Sequence, residues 1–328
     1  MSDTAAKPDL VPVTVLTGYL GAGKTTLLNR ILSEQHGRKY AVVINEFGEL
    51  GVDNDLVVDS DEEVFEMNNG CICCTVRGDL IRIVGGLMKR RDRFDGIIIE
   101  TTGIANPAPV AQTFFVDEGV RAKSRLDAIV TVVDAKNLPQ RLSDSREAAD
   151  QIAFADVIVL NKLDLVTADE RAAVEARIRA INPYATIHHA TRGDVPVTAL
   201  LQQKAFDLDR VLSHTPDFLT DDSHEHNEDV ASMSFEAARP IDPEKFNAWI
   251  GALLAEKGQD LLRTKGILAY PGEDRRFAFQ AVHMMADGDF VGRWKDGEAR
   301  HSRLVFIGRN LNRPQLRRGF ESCQVAAE

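Results

Sequence analysis

The chain is short of cysteine, of long apolar runs and of basic charge, and each shortage removes a class of protein. Only four of its 328 residues are cysteine, and three of these crowd into Cys71-Ile72-Cys73-Cys74. That distribution does not make a disulfide framework; in a reducing cytosol such a cluster binds metal or does thiol chemistry. No stretch approaches the ~18 apolar residues of a membrane span, which excludes a transmembrane role. The opening MSDTAAKPD has neither a basic start nor an apolar centre, so it does not read as a signal peptide and a cytoplasmic protein is expected. Lys and Arg number 39 against 50 Asp and Glu, a net charge of −11. That balance argues against non-specific binding to nucleic acid or an anionic membrane. No internal repeat is visible. What remains, 44% hydrophobic and 27% charged residues, is a soluble globular composition long enough for two cores.

The most informative stretch present is Val13 to Thr26, VTVLTGYLGAGKTT. A β-rich run (Val13, Val15, Leu16) leads into Gly18-Tyr19-Leu20-Gly21-Ala22-Gly23-Lys24-Thr25, a complete G-x-x-x-x-G-K-T phosphate loop. Glycines let successive backbone N–H groups turn toward phosphate oxygens. Lys24 supplies a point charge to the β/γ-phosphates, and the Thr25 hydroxyl is placed to ligate Mg²⁺. Thr26 continues into an amphipathic helix whose positive end faces the same anion. These residues predict a bound nucleoside triphosphate.

Around this loop, residues 11 to 190 alternate strand-like and helix-like segments. Strands are expected at 42–44, 64–67, 97–99, 128–133 and 157–160, each a nearly continuous apolar run suited to a parallel sheet buried on both faces. Asn106-Pro107 predicts one helix start, and Thr167 to Glu170 predicts another that stops near Asn182-Pro183. The fold class expected is α/β, a doubly wound, mainly parallel sheet with ligands at the carboxyl ends of its strands. Domains are expected at 1–206, a polar linker at 207–229, and a smaller α+β domain at 230–328, with helices on one face of a mainly antiparallel sheet.

Asn161-Lys162-Leu163-Asp164 closes the 157–160 strand as an N-K-x-D motif. Guanine offers N1–H and an exocyclic amino group on one edge, and a carboxylate at Asp164 accepts both. Adenine has no such pair, so it would leave buried polar groups unsatisfied. The Lys162 stem can lie over the base, and Asn161 can tie this turn to the phosphate loop. Ala190 to Gly193 is a further candidate loop at the base edge. Glu100, ending the 97–99 strand, either holds Mg²⁺ or the attacking water or caps the next helix. Gly103 allows close approach to the γ-phosphate. Asp134 ends its own strand in a similar way, as a site residue or a structural one.

Cys71, Cys73 and Cys74 can converge on one ion only if the chain turns, which Gly70 permits. A helix over 75–89 would favour thiolates at its N-terminus. Three thiolates suit Zn²⁺ and leave a fourth position open. Inert core cysteines and a redox switch are the other readings, and a Cys73–Cys74 disulfide would be strained. Asn45 to Asp53, NEFGELGVD, reads as a switch loop with carboxylates, Glu49 among them, for a metal, or as an ordinary acidic loop. His224 and His226 are either loose metal ligands or plain linker, and His283 reads as structural.

In their order, GYLGAGKTT, NEFGE, GCICC, IIIETTG and NKLD resemble the CobW-like metallochaperone GTPases, kin of UreG and HypB. LLRTKGIL, FQAVH and SRLVFIG resemble that family's C-terminal domain. The resemblance implies a slow GTPase that uses GTP/GDP and Mg²⁺ and loads Zn²⁺, or in some members Co²⁺, into a client metalloprotein. It implies Cys71, Cys73 and Cys74 as metal ligands, Gly18 to Thr26 for phosphate and Mg²⁺, and Asn161 to Asp164 for guanine. The histidine-rich insert of many relatives is reduced to two histidines, and Ile44 stands where some carry an extra glutamate. Pro8 to Pro12 is similar to a docking sequence for methionine aminopeptidase, or matches it by chance. Cobalt delivery and a non-catalytic thiol sensor are the competing functions, and a homodimer is carried as an expectation.

Overall fold

The computed structural model describes residues 10–34, 37–45, 64–67, 74–203, 230–295 and 297–326. The elements run β1 (Val11–Thr17), α1 (Lys24–Ser33), β2 (Tyr40–Asn45), β3 (Val64–Met67), α2 (Cys74–Leu87), β4 (Gly96–Glu100), α3 (Ala108–Val116) and α4 (Glu118–Arg121). They continue with β5 (Ser124–Asp134), α5 (Leu138–Asp144), α6 (Arg146–Phe154), β6 (Val157–Asn161), α7 (Ala168–Ile181) and β7 (Thr186–His189). After residue 230 come β8 (Ala231–Ala237), α8 (Pro243–Lys257), β9 (Leu261–Leu268), β10 (Arg275–Val282), β11 (Met285–Arg293), β12 (Ser302–Gly308) and α9 (Arg313–Ser322).

The first sheet has the order β3-β2-β4-β1-β5-β6-β7, and the pairs from β3 through β6 are all parallel. Its central strands are apolar on both sides: Val13, Val15, Ile97 to Ile99 and Ile158 to Leu160 are all buried. A strand flanked by helices on both faces has no solvent side, so hydrophobic residues run consecutively instead of alternating. The chain steps outward from β1 to β2 and β3, returns at β4, and crosses to β5. That reversal leaves the carboxyl end of β1 in the middle of the sheet, where open α/β sheets take their ligands.

Contacts divide the chain into two compact units, the second made of 141–155, 168–186 and the residues from 205 onward. Its sheet, β11-β10-β9-β12-β8, is antiparallel at every pair. Phe246, Ile250 and Leu254 of α8 and Leu316 and Phe320 of α9 pack on Phe235, Phe279, Leu304 and Phe306 to form its core. The two helices of 230–328 lie on one face, as expected, and the other face takes α6, which comes from earlier in the chain. Thr264 pairs with the core residue Phe306, so its neighbour Arg263 points to the opposite face. There Arg263 donates to the Phe154 carbonyl of α6, and Arg309 pairs with Asp150 at 2.6 Å. His283 sits in the same region, its Nδ1 3.1 Å from the Gly258 carbonyl and its ring beside Phe154. Burial, only partly offset by that carbonyl and Asp150, holds its pKa below the ordinary imidazole value. These groups hold α6 to the second sheet.

Two strands escaped the sequence reading. β11, MADGDFVGR, is an edge strand with two glycines and two aspartates, so it has no buried face to write a pattern. β7 is four residues long and sits at the other sheet's edge.

Candidate functional site

The phosphate loop begins where β1 ends. Gly18 has φ +143, and a Cβ there would lie 2.2 Å from the Val132 carbonyl oxygen of β5. Both the backbone angle and the space demand glycine. Gly21, at φ +72, has open space where a Cβ would stand, with nothing within 4 Å, so only its backbone angle is at stake. Gly18→Ala should therefore cost ~2–4 kcal/mol of stability against about 1 for Gly21→Ala. Urea unfolding midpoints at unchanged slope would test this, and equal losses would refute it.

Helix α1 starts at Lys24 with Gly23 as a left-handed N-cap, no side-chain cap and no acidic residue in the first turn. A helix start without a side-chain cap is the kind of end at which anions bind. Lys24 is buried and folds back over the loop, donating to the Gly18 carbonyl at 2.8 Å. Thr25 is half-buried and Thr26 exposed on the same first turn. Tyr19 accepts the turn's closing bond from Ala22, at 3.1 Å, and Leu20 is exposed at the rim.

Asn161, buried at the end of β6, joins three segments. Its amide nitrogen donates to the Ala22 carbonyl at 3.0 Å, and its oxygen accepts from the Gly193 N–H at 3.0 Å. Arg192 and Gly193 both take positive φ, which bends the 190–193 loop toward this amide. Arg30 of α1 adds a 2.5 Å ion pair to Asp194. Lys162 follows in the left-handed region, and a tight turn over Leu163–Leu165 leaves Asp164 exposed. The Lys162 ammonium lies 2.7 Å from Asp134.

Asp134 accepts further bonds from the Lys136 and Asn137 N–H groups and the Asn137 amide. Burial pushes its carboxyl up, but the bonds from Lys162 and Asn137 outweigh that and hold it below the usual value. Asp-Ala-Lys-Asn at the end of a strand is a readable aspartate-turn signal, the one clue to this arrangement in the sequence.

On the other side of β1, Glu100 is buried at the end of β4, in register with Leu16. Thr101 and Thr17 share a buried 2.9 Å hydroxyl pair. A Cβ on Gly103 would come within 2.7 Å of the Leu20 nitrogen, so this glycine brings the post-β4 loop against the phosphate loop's own backbone. The Thr102 hydroxyl oxygen is buried there without a hydrogen-bond partner.

Of the metal candidates, Glu49, Cys71 and Cys73 lie outside the described residues, as do the rest of 46–53, His224, His226, Pro8 and Asp9, while Val11 and Pro12 of the Pro8 to Pro12 sequence are already part of β1. Cys74 opens α2. Cys323, the remaining cysteine, is buried in the second unit's core, where burial raises its thiol pKa. No helix among the described residues is long and apolar enough to cross a membrane.

A glycine loop between a central parallel strand and a helix, tied to an N-K-x-D turn, defines a P-loop nucleotide-binding domain. Residues 12–189 match the CobW/HypB/UreG nucleotide-binding domain, and 230–324 match the cobalamin synthesis protein cobW C-terminal domain. The chain belongs to the CobW/HypB/UreG family. It is 37% identical over 317 residues to the zinc chaperone YjiA of Escherichia coli, covering 94% of this chain and 98% of that protein. It is 34% identical over 346 residues to zinc-regulated GTPase metalloprotein activator 1 of Schizosaccharomyces pombe, covering 93% and 84%. The crystal structure of Zn(II)-bound YjiA GTPase from E. coli superposes with a TM-score of 0.74 at 32% identity, covering 97% of this chain and all of that one.

Proposed function

We propose that this chain is a GTP-hydrolysing metallochaperone that takes up Zn²⁺ on Cys71, Cys73 and Cys74, with Glu49 as a further candidate ligand. It passes the ion to a client metalloprotein according to its nucleotide state. The observation that carries the nucleotide half is the Asn161 amide, which holds the phosphate loop on one side and the 190–193 loop on the other. An exposed Asp164 follows on the same turn, where a guanine edge would supply two donors and adenine none. The metal half rests on the cysteine cluster and on relatives named as zinc chaperones across nine-tenths of this chain. Residues 1–206 would form the nucleotide domain and 230–328 the C-terminal domain, with 207–229 between them.

Phosphates would lie on the N–H groups of 18–26, with the Lys24 ammonium exchanging its Gly18 acceptor for β/γ oxygens. Glu100 would orient the attacking water and Gly103 would bring its N–H to the γ-phosphate side. Two features support this use: the buried Thr102 hydroxyl has no hydrogen-bond partner, and the start of α1 has no side-chain cap. Mg²⁺, when bound, would neutralise phosphate charge, and the Thr25 hydroxyl offers an oxygen ligand of the kind it favours. No arginine is assigned to the transition state, so intrinsic turnover is expected to be slow.

The test is phosphate release from GTP and from ATP, with and without zinc, beside zinc analysis of a triple Cys71→Ser, Cys73→Ser, Cys74→Ser variant. Preferential GTP turnover and zinc lost from the triple variant are expected. Equal use of ATP, or zinc retained without the three thiols, would overturn the reading.

A further inference from the structure

We infer that Asp134 is a positioning residue for the base, holding Lys162 where its methylene stem can floor the guanine ring. This rests on the guanine reading above and adds to it the group that builds the base slot. Asp134 and Asn161 are paired partners at the ends of neighbouring strands β5 and β6. The next residue, Lys162, turns left-handed at φ 61, ψ 37, a conformation that side-chain-bearing residues adopt at a cost. That turn sends the lysine back across the strand ends to Asp134, 2.7 Å away.

The anchor is itself held by hydrogen bonds. Asp134 receives four donors, two backbone N–H groups at 3.0 and 3.1 Å, the Asn137 amide at 2.8 Å and the Lys162 ammonium. Four donors fill the acceptor sites of a carboxylate. None is left over for a metal ion or a proton-transfer role. Its side chain is 11% exposed while that of Lys162 is 31% exposed, so the charge pair is sheltered and the lysine keeps an open flank. The same residue sets the second wall. The Lys162 carbonyl accepts from Leu165 N–H at 3.0 Å, closing the turn that presents Asp164. Releasing the ammonium would free the stem to swing into solvent and loosen the carboxylate that reads the base edge.

The test is calorimetric titration of the full chain with GTP, ATP and inorganic triphosphate, for wild type, Asp134→Asn, Lys162→Met and Asp164→Asn. Asp134→Asn should weaken GTP about tenfold while inorganic triphosphate, which needs only the phosphate loop, changes less than about twofold. Lys162→Met keeps a stem but cannot be anchored, and it should match that loss. The Asp134→Asn, Lys162→Met double variant should lose no more than either single one. GTP and triphosphate weakened in parallel would mean a structural role only, and additive losses would mean independent residues; either overturns the inference. Asp164→Asn keeps the two readings distinguishable. If it leaves the GTP preference over ATP intact, the guanine site itself is wrong. If it abolishes that preference while Asp134→Asn leaves GTP affinity unchanged, only the role of Asp134 falls.

Discussion

Lys24→Ala is expected to weaken GTP binding by ~10²–10³-fold while the chain stays folded and keeps its zinc site. The side chain is buried over the loop, with its ammonium on the Gly18 carbonyl. It therefore meets a bound triphosphate from a sheltered position, where a charge-assisted bond is worth more than at an open surface. Removing it leaves phosphate oxygens without their counter-charge. The fold should survive, because β1 and the Asn161 bridge do not depend on this ammonium. Nucleotide titration and zinc analysis on the same preparation check both halves. A GTP affinity within about threefold of wild type would show that the lysine is not a phosphate ligand. Cys73→Ala should give the mirror image, zinc lost and GTP kept, and loss of both ligands in either variant would argue against separable sites.

A non-hydrolysable GTP analogue should tighten zinc binding by up to ~10⁴-fold relative to GDP. Structural thiolate sites hold zinc with ~10–16 kcal/mol, too firmly for an ion to leave on a useful timescale without a change of state. Turning a site from mostly competent to mostly incompetent needs a differential of ~5.5 kcal/mol between the two nucleotide states. Linkage then requires the reverse effect, zinc tightening the GTP analogue over GDP by the same factor. Competition titrations with a zinc chelator, run in each nucleotide state, measure one side, and nucleotide titrations with and without zinc measure the other. Equal zinc affinities in the two states would leave hydrolysis with no means of releasing the metal. Unequal but non-reciprocal factors would mean that the two experiments report different species.

Much of the nucleotide domain was legible because its signals are contiguous. Ile97-Ile98-Ile99-Glu100 reads as a buried strand with an acidic end, and β4 occupies 96–100 with Glu100 buried. Asn106-Pro107 marked a helix start, and the Asn106 side chain accepts from Ala108 N–H at 2.8 Å, with α3 beginning at Ala108. Gly103 reads in the sequence as a glycine for approach to the γ-phosphate, and what the structure shows against it is the Leu20 backbone. The opposite-face packing of α6 was not legible, because Asp150 and Arg309 are 159 residues apart and look like ordinary surface charges in isolation. β11 stayed hidden for a different reason: its side chains follow no burial period to be read.

What the amino-acid order determined alone was the phosphate-loop motif, since it is a run of consecutive residues whose glycines and lysine sit within one short segment. The joining of the N-K-x-D turn to its neighbours was decided only in three dimensions. Asn161 reaches Ala22 across 139 residues and Gly193 across 32, and Lys162 reaches Asp134 across 28. No local pattern can specify such meetings; they exist because parallel strands β1, β5 and β6 end side by side, and a hydrogen bond depends on where its two atoms are, not on where their residues stand in the chain.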